Sequence, residues 1–180
     1  MISEGSTKNS QHFDFENLPK EGMCSLILHK NKILFFNTSN NYPKICYEMV
    51  DGGWKKHSTL YRDRGPYTKS AVTTSHGTFI FGGGFYTKYT YEYLLNGSSE
   101  WELGKTKIPG GFRQGCAIAL KSKPEIWLIG GYDNNTRILS FNLQTHSFTI
   151  LPTKLLVGRI RFQCSYIPNT KKVIVTGGHI

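Results

Sequence analysis

The chain has 180 residues, of which 38% are hydrophobic, 13% aromatic and 19% charged, and its formal net charge is +10. This length suits one ordinary domain, the apolar content excludes a disordered tail, and the low charge fraction excludes a coiled coil. The basic excess comes without an arginine-rich arm or a basic helix, its longest runs being Lys55-Lys56 and Lys171-Lys172, so nucleic acid is not an expected partner.

At the N-terminus, Met1-Ile2-Ser3-Glu4-Gly5 shows no basic region followed by an apolar core. No apolar run approaches the roughly 18 residues of a membrane span. A soluble, cytoplasmic protein with no membrane partner is the expectation. Residues 1–12 read as a flexible N-terminus and 13–18 as a lone strand. A first four-stranded unit is predicted over 22–60, where Ile33-Leu34-Phe35-Phe36 runs into Asn37-Thr38 and is followed by Tyr47 and Trp54. A second, over 67–107, carries Thr78-Phe79-Ile80-Phe81-Gly82-Gly83, then Tyr93 and Trp101. The third, over 112–154, has short β-branched and aromatic segments at 115–120, 125–129, 136–143 and 147–151. Turn residues such as Lys121-Ser122-Lys123-Pro124 and Tyr132-Asp133-Asn134-Asn135 separate them. A last partial unit, 160–180, ends in Val173-Ile174-Val175-Thr176-Gly177-Gly178.

The double glycines begin at Gly82, Gly130 and Gly177, spaced 48 and 47 residues apart. Trp54, Trp101 and Phe148 keep a spacing of 47, and Tyr47, Tyr93 and Phe141 follow more loosely. Unrelated markers sharing one period identify a repeat protein. No helical periodicity persists over ten residues, so the expected class is all-β. A four-stranded antiparallel unit repeated at this interval is the pattern of a β-propeller blade.

A strand ending in Gly-Gly, a spaced Tyr, a Trp six to eight residues later and a small-residue strand together resemble the kelch repeat. The match is good twice within 67–154 and weaker in 22–60, where Asn37-Thr38 replaces the glycines; it covers roughly 13–180. The resemblance implies kelch-type propeller blades, about three full ones (22–60, 67–107, 112–154) and parts of a fourth (160–180 with 13–18). Kelch propellers are typically six-bladed. The chain is therefore expected to be a piece of a longer protein, to self-associate into a propeller, or to close a small ring through its N-terminal strand, the first being favoured. In such blades the glycines allow close backbone approach, and the Tyr and Trp residues pack one blade on the next.

Naming the strands of a blade a to d from the hub outwards, the b–c loops and d–a connections share one face. Five of the six arginines, Arg62, Arg64, Arg113, Arg159 and Arg161, fall in or just after d–a connections. Tyr67, Tyr86, Phe112 and Tyr132 occupy the same edge. Arginine beside aromatics is the composition of a protein interaction hot spot. These nine residues are the candidate partner-binding set, with an acidic protein or peptide as the ligand that suits the charge. The resemblance agrees, since kelch propellers receive peptides on this face, but it also allows Arg113 and Arg161 only to anchor a neighbouring turn.

Cys24, Cys116 and Cys164 sit in similar small-residue strands, and Cys46 stands apart. Equivalent positions in separate repeats are expected to be poor disulfide partners, which predicts buried free thiols and a reducing compartment. The six histidines are scattered, with no zinc-ligand spacing and no nucleophile motif. No enzyme activity, metal or cofactor is expected. The favoured function is a non-catalytic protein interaction module, one family context being the substrate-receiving part of a ubiquitin-ligase adaptor. The alternative is a fragment of a kelch-propeller enzyme of oxidase or sugar-epimerase type.

Overall fold

In the computed structural model, residues 24–37, 45–51, 53–62, 70–84, 86–167, 170 and 172–180 are described, and every regular element among them is a β-strand. The first sheet has the order β1 (Cys24–His29), β2 (Lys32–Asn37), β3 (Ile45–Val50), β4 (Gly53–Thr59). The second runs β5 (Ala71–Thr73), β6 (Gly77–Phe81), β7 (Tyr91–Leu95), β8 (Glu102–Leu103). The third is β9 (Cys116–Ala119), β10 (Glu125–Ile129), β11 (Arg137–Asn142), β12 (Phe148–Lys154), and the fourth only β13 (Gln163–Tyr166) with β14 (Val173–Thr176). All pairings are antiparallel between sequence neighbours, and no sheet closes on itself. The expected lone strand at 13–18 and the N-terminus lie outside the described residues.

The sheets stack face to face in chain order because their second strands are apolar on both sides. Successive side chains of a strand point to opposite faces. Along β6, Phe79 and Phe81 therefore enter one cluster with Ile126, Leu128 and Phe141 of the third sheet. Ile80 turns the other way, to Leu34 and Phe36 of the first. The alternation repeats in β10, where Ile126 and Leu128 face the second sheet while Ile129 joins Cys116, Ile118 and Phe162 against the fourth. Each such side chain taken fully from water contributes about 1.5–3 kcal/mol. Sandwiching between two neighbours, rather than one wet face, is why these strands read as continuous apolar runs.

Close stacking explains the double glycine. Gly82 has φ +65°, and a Cβ there would stand 1.8 Å from the carbonyl oxygen of Phe112, which belongs to the connection entering the next sheet. Gly177 has a similar φ of +71° but nothing within 4 Å of such a Cβ, since no further sheet follows it among the described residues. The left-handed backbone at both sites favours glycine on its own.

The cysteine expectation is corrected. Cys116 and Cys164 form a disulfide with a Cα–Cα separation of 6.0 Å, across 48 residues of sequence. Equivalent repeat positions are far apart only where repeats are held apart. Here the first strands of successive sheets lie side by side, β5 between β1 and β9, and β13 against β9. Equivalence in the repeat thus produces proximity, and the free-thiol premise for a reducing compartment falls for this pair. Cys46 is a buried free thiol, as expected, and burial pushes its pKa up to about 12. The expectation for the Cys24 thiol lies outside the described side chains.

Candidate functional site

The connections entering β9 and β13 reach the same end of the stack as the β10–β11 loop. Between them is a cleft of about 490 Å3 lined by Arg113, Gln114, Tyr132, Ile160, Arg161 and His179. Its walls are set by backbone bonds within the third and fourth units and by one between them. The Tyr132 N–H donates to the Arg113 carbonyl at 2.8 Å, and the Arg161 N–H donates to the Gln114 carbonyl at 2.8 Å. Ile160 and His179 form a bridge through two backbone bonds of 3.0 and 2.9 Å. Gln114 and Arg161, 47 residues apart, both hold left-handed backbone, with φ of +57° and +56°. Such a conformation costs about 1–2 kcal/mol in a non-glycine residue, so two in one cleft mark a turn over-determined by its surroundings.

Arg113 makes a forked contact with Asp133, Nε to Oδ2 at 3.0 Å and Nη2 to Oδ1 at 3.2 Å. Lys88 from the second sheet's loop donates to the same Oδ1 at 2.8 Å. The guanidinium also lies over the Tyr132 ring, 4.5 Å from its centroid. Burial alone would raise the Asp133 pKa, but hydrogen bonds from Arg113 and Lys88 outweigh it and hold the carboxyl below its usual value. The group therefore stabilises the fold above the unfolded-state pKa of roughly 4, and that stability is lost as pH falls through the lower folded value. Asp133→Asn is expected to cost about 2–3 kcal/mol at pH 7, because a charged acceptor of three donors is removed from a largely buried position. Chemical denaturation at pH 7 and below pH 4 should show the difference from the parent chain shrinking in acid.

Of the nine expected partner-binding residues, Arg113, Tyr132 and Arg161 come together in this cleft. Arg159 stands beside it, its Nη1 donating to the Gly177 carbonyl at 2.9 Å. Tyr86 is 94% exposed on the β6–β7 loop. Arg62 is exposed, and its backbone N–H, with that of Tyr61, donates to the wholly buried Glu92 carboxylate at 2.8 and 2.7 Å. Arg64 and Tyr67 lie outside the described residues. Phe112 is a correction: at 1% exposed it belongs to the core between the second and third sheets and offers nothing to a partner. An apolar ring in a connection turns inward wherever the stacked sheets leave room at their end.

Gln114, Ile160, His179 and Asp133 were not anticipated from the sequence. Gln114 had a signal, standing one repeat before Arg161. Asp133 reads as an ordinary turn residue until the loop is seen against Arg113. Among the described residues no three His, Cys, Asp or Glu side chains gather as a metal-ligand set, and no helix is long and apolar enough to cross a membrane. Comparison with protein-family models and with curated proteins returned no match.

Proposed function

We propose that the chain is a non-catalytic interaction module, its sheets successive kelch-type propeller blades, and that it receives an acidic protein segment in the Arg113–Arg161 cleft. The observation that carries the proposal is one preformed cleft with Arg161 at an exposed rim, an exposed Tyr132 face and His179, on a chain of net charge +10. Side-by-side first strands and the period of the double glycines support the blade reading. Within the cleft the roles divide. Arg113, committed to Asp133, holds the Tyr132 ring in place, and Arg161 supplies charge at the mouth. Rigid walls reduce the ordering cost of binding, which favours even a modest set of contacts.

A fluorescent glutamate-rich peptide, followed by anisotropy, tests this. Arg161→Ala and Tyr132→Ala are each expected to weaken binding by about tenfold, the effect of losing one charge-assisted or one aromatic contact. Added salt should weaken binding as well. Unchanged affinity in both variants, with unchanged melting midpoints, would remove the cleft from the function.

A further inference from the structure

The opposite end of the first strands carries a second and larger opening, on the side of the β5–β6 and β9–β10 turns. Three successive sheets wall it, through Val72 of β5, Ile118 of β9 and Tyr166 of β13, and its volume is about 1050 Å3. The Cys116–Cys164 bridge joins two of these walls, with Cys164 itself in the lining. The floor is therefore largely apolar and covalently braced.

Charge is confined to the rim. Lys121 and Lys123 of the β9–β10 turn line the opening with His76 of the β5–β6 turn, and among the described residues no carboxylate does. Among the described residues neither ammonium group has an ion-pair partner, which sets them apart from Lys88 and Arg113 at the other end, both held by Asp133. Two lysines two residues apart on one turn repel each other, and they stand at the mouth of a cavity near the size of small-molecule sites.

We infer that this cavity binds a small amphipathic organic anion, with its apolar body between the first strands and its charged group at Lys121 and Lys123. A bare inorganic ion would leave the apolar walls unused. A neutral apolar molecule would gain nothing from the two ammonium groups. The partner cleft at the other end has the reverse construction, with its cations largely engaged internally, so the two sites call for different ligands.

Titration of the full chain with anilinonaphthalene sulfonate, a small sulfonate on an aromatic body, is the test. One saturable site per chain is expected. Lys121→Gln together with Lys123→Gln should weaken it by about tenfold or more, the loss of charge-assisted contacts. Ser165→Phe, an exposed position in the lining, should abolish binding by filling the space. Both variants should melt as the parent does, and Arg161→Ala should bind the probe normally. The uncharged phenylnaphthylamine should bind about tenfold more weakly than the sulfonate. The inference is overturned by probe binding that survives both variants, by equal affinity for the neutral amine, or by displacement of the probe with the glutamate-rich peptide. The last result would make this opening the peptide site, whereas failure of the peptide at the arginine cleft alone leaves the anion cavity standing.

Discussion

Reduction of the Cys116–Cys164 bridge is expected to lower the stability of the folded chain by about 4 kcal/mol, the loop-closure entropy of a cross-link spanning 48 residues. For a chain of this size that corresponds to a fall in melting midpoint of roughly 10 °C. The bridge ties β9 to β13, so its loss acts first on the fourth sheet, which has two strands among the described residues and rests on the third sheet through Cys164, Tyr166, Val173 and Val175. Thermal melts with and without reductant measure the effect, and Cys116→Ser should reproduce it without reductant. Alkylation with peptide mapping tests the chemistry directly. In the native, unreduced chain Cys116 and Cys164 should stay unmodified because they are paired. Cys46 should stay unmodified because it is buried and its pKa of about 12 leaves almost no thiolate. After reduction in denaturant all three should react. Labelling of Cys116 and Cys164 in the native chain, with no change of midpoint on reduction, would mean that the two thiols are free.

The repeat was legible because each marker does a local job that only one residue type performs well. Gly82 clears a carbonyl, and Trp101 and Phe148 cover the preceding sheet. Trp101 stands 5.5 Å from Phe36 of the first sheet, and Phe148 is 5.7 Å from Tyr91 of the second. Such jobs recur at a fixed period and need no knowledge of what lies across the stack. The bridge, the inward turn of Phe112 and the Arg113–Asp133–Lys88 cluster depend on which repeat faces which, and at what distance. Asp133 is 20 residues from Arg113 and 45 from Lys88, and nothing in its own turn announces either partner. Of the arginines in that pattern, Arg113 and Arg161 line one cleft at an end of the stack, and Arg113 is turned onto Asp133 rather than outward. Lys121 and Lys123 read only as turn residues in the sequence, and they stand at the larger opening.

Phe141→Ala is expected to cost about 3–5 kcal/mol, the range for a buried aromatic removed from a core. Phe141 is wholly buried on β11, with ring centroids of Phe81, Tyr91 and Phe79 of the second sheet at 5.2, 5.0 and 5.8 Å. From its own sheet Phe148 stands 4.8 Å away and His146 5.4 Å. The truncation leaves a cavity at the junction of two sheets, and neither can collapse into it without breaking strand pairing. The upper part of the range is therefore expected. Part of the loss comes from ring geometry rather than area. Phe81 meets Phe141 at 72°, an edge-on arrangement worth about 0.5–1.5 kcal/mol beyond burial. A double-mutant cycle with Phe81→Ala isolates that share, and urea denaturation of the four proteins should give a coupling of that size. A coupling near zero would mean that the two rings act only as independent fillers of the interface. The slope of the denaturation curve carries a second result. If the sheets unfold as one unit, Phe141→Ala shifts the midpoint and leaves the slope unchanged. If the second and third sheets come apart separately, the slope falls, and the stack behaves as a row of repeats joined only through neighbours.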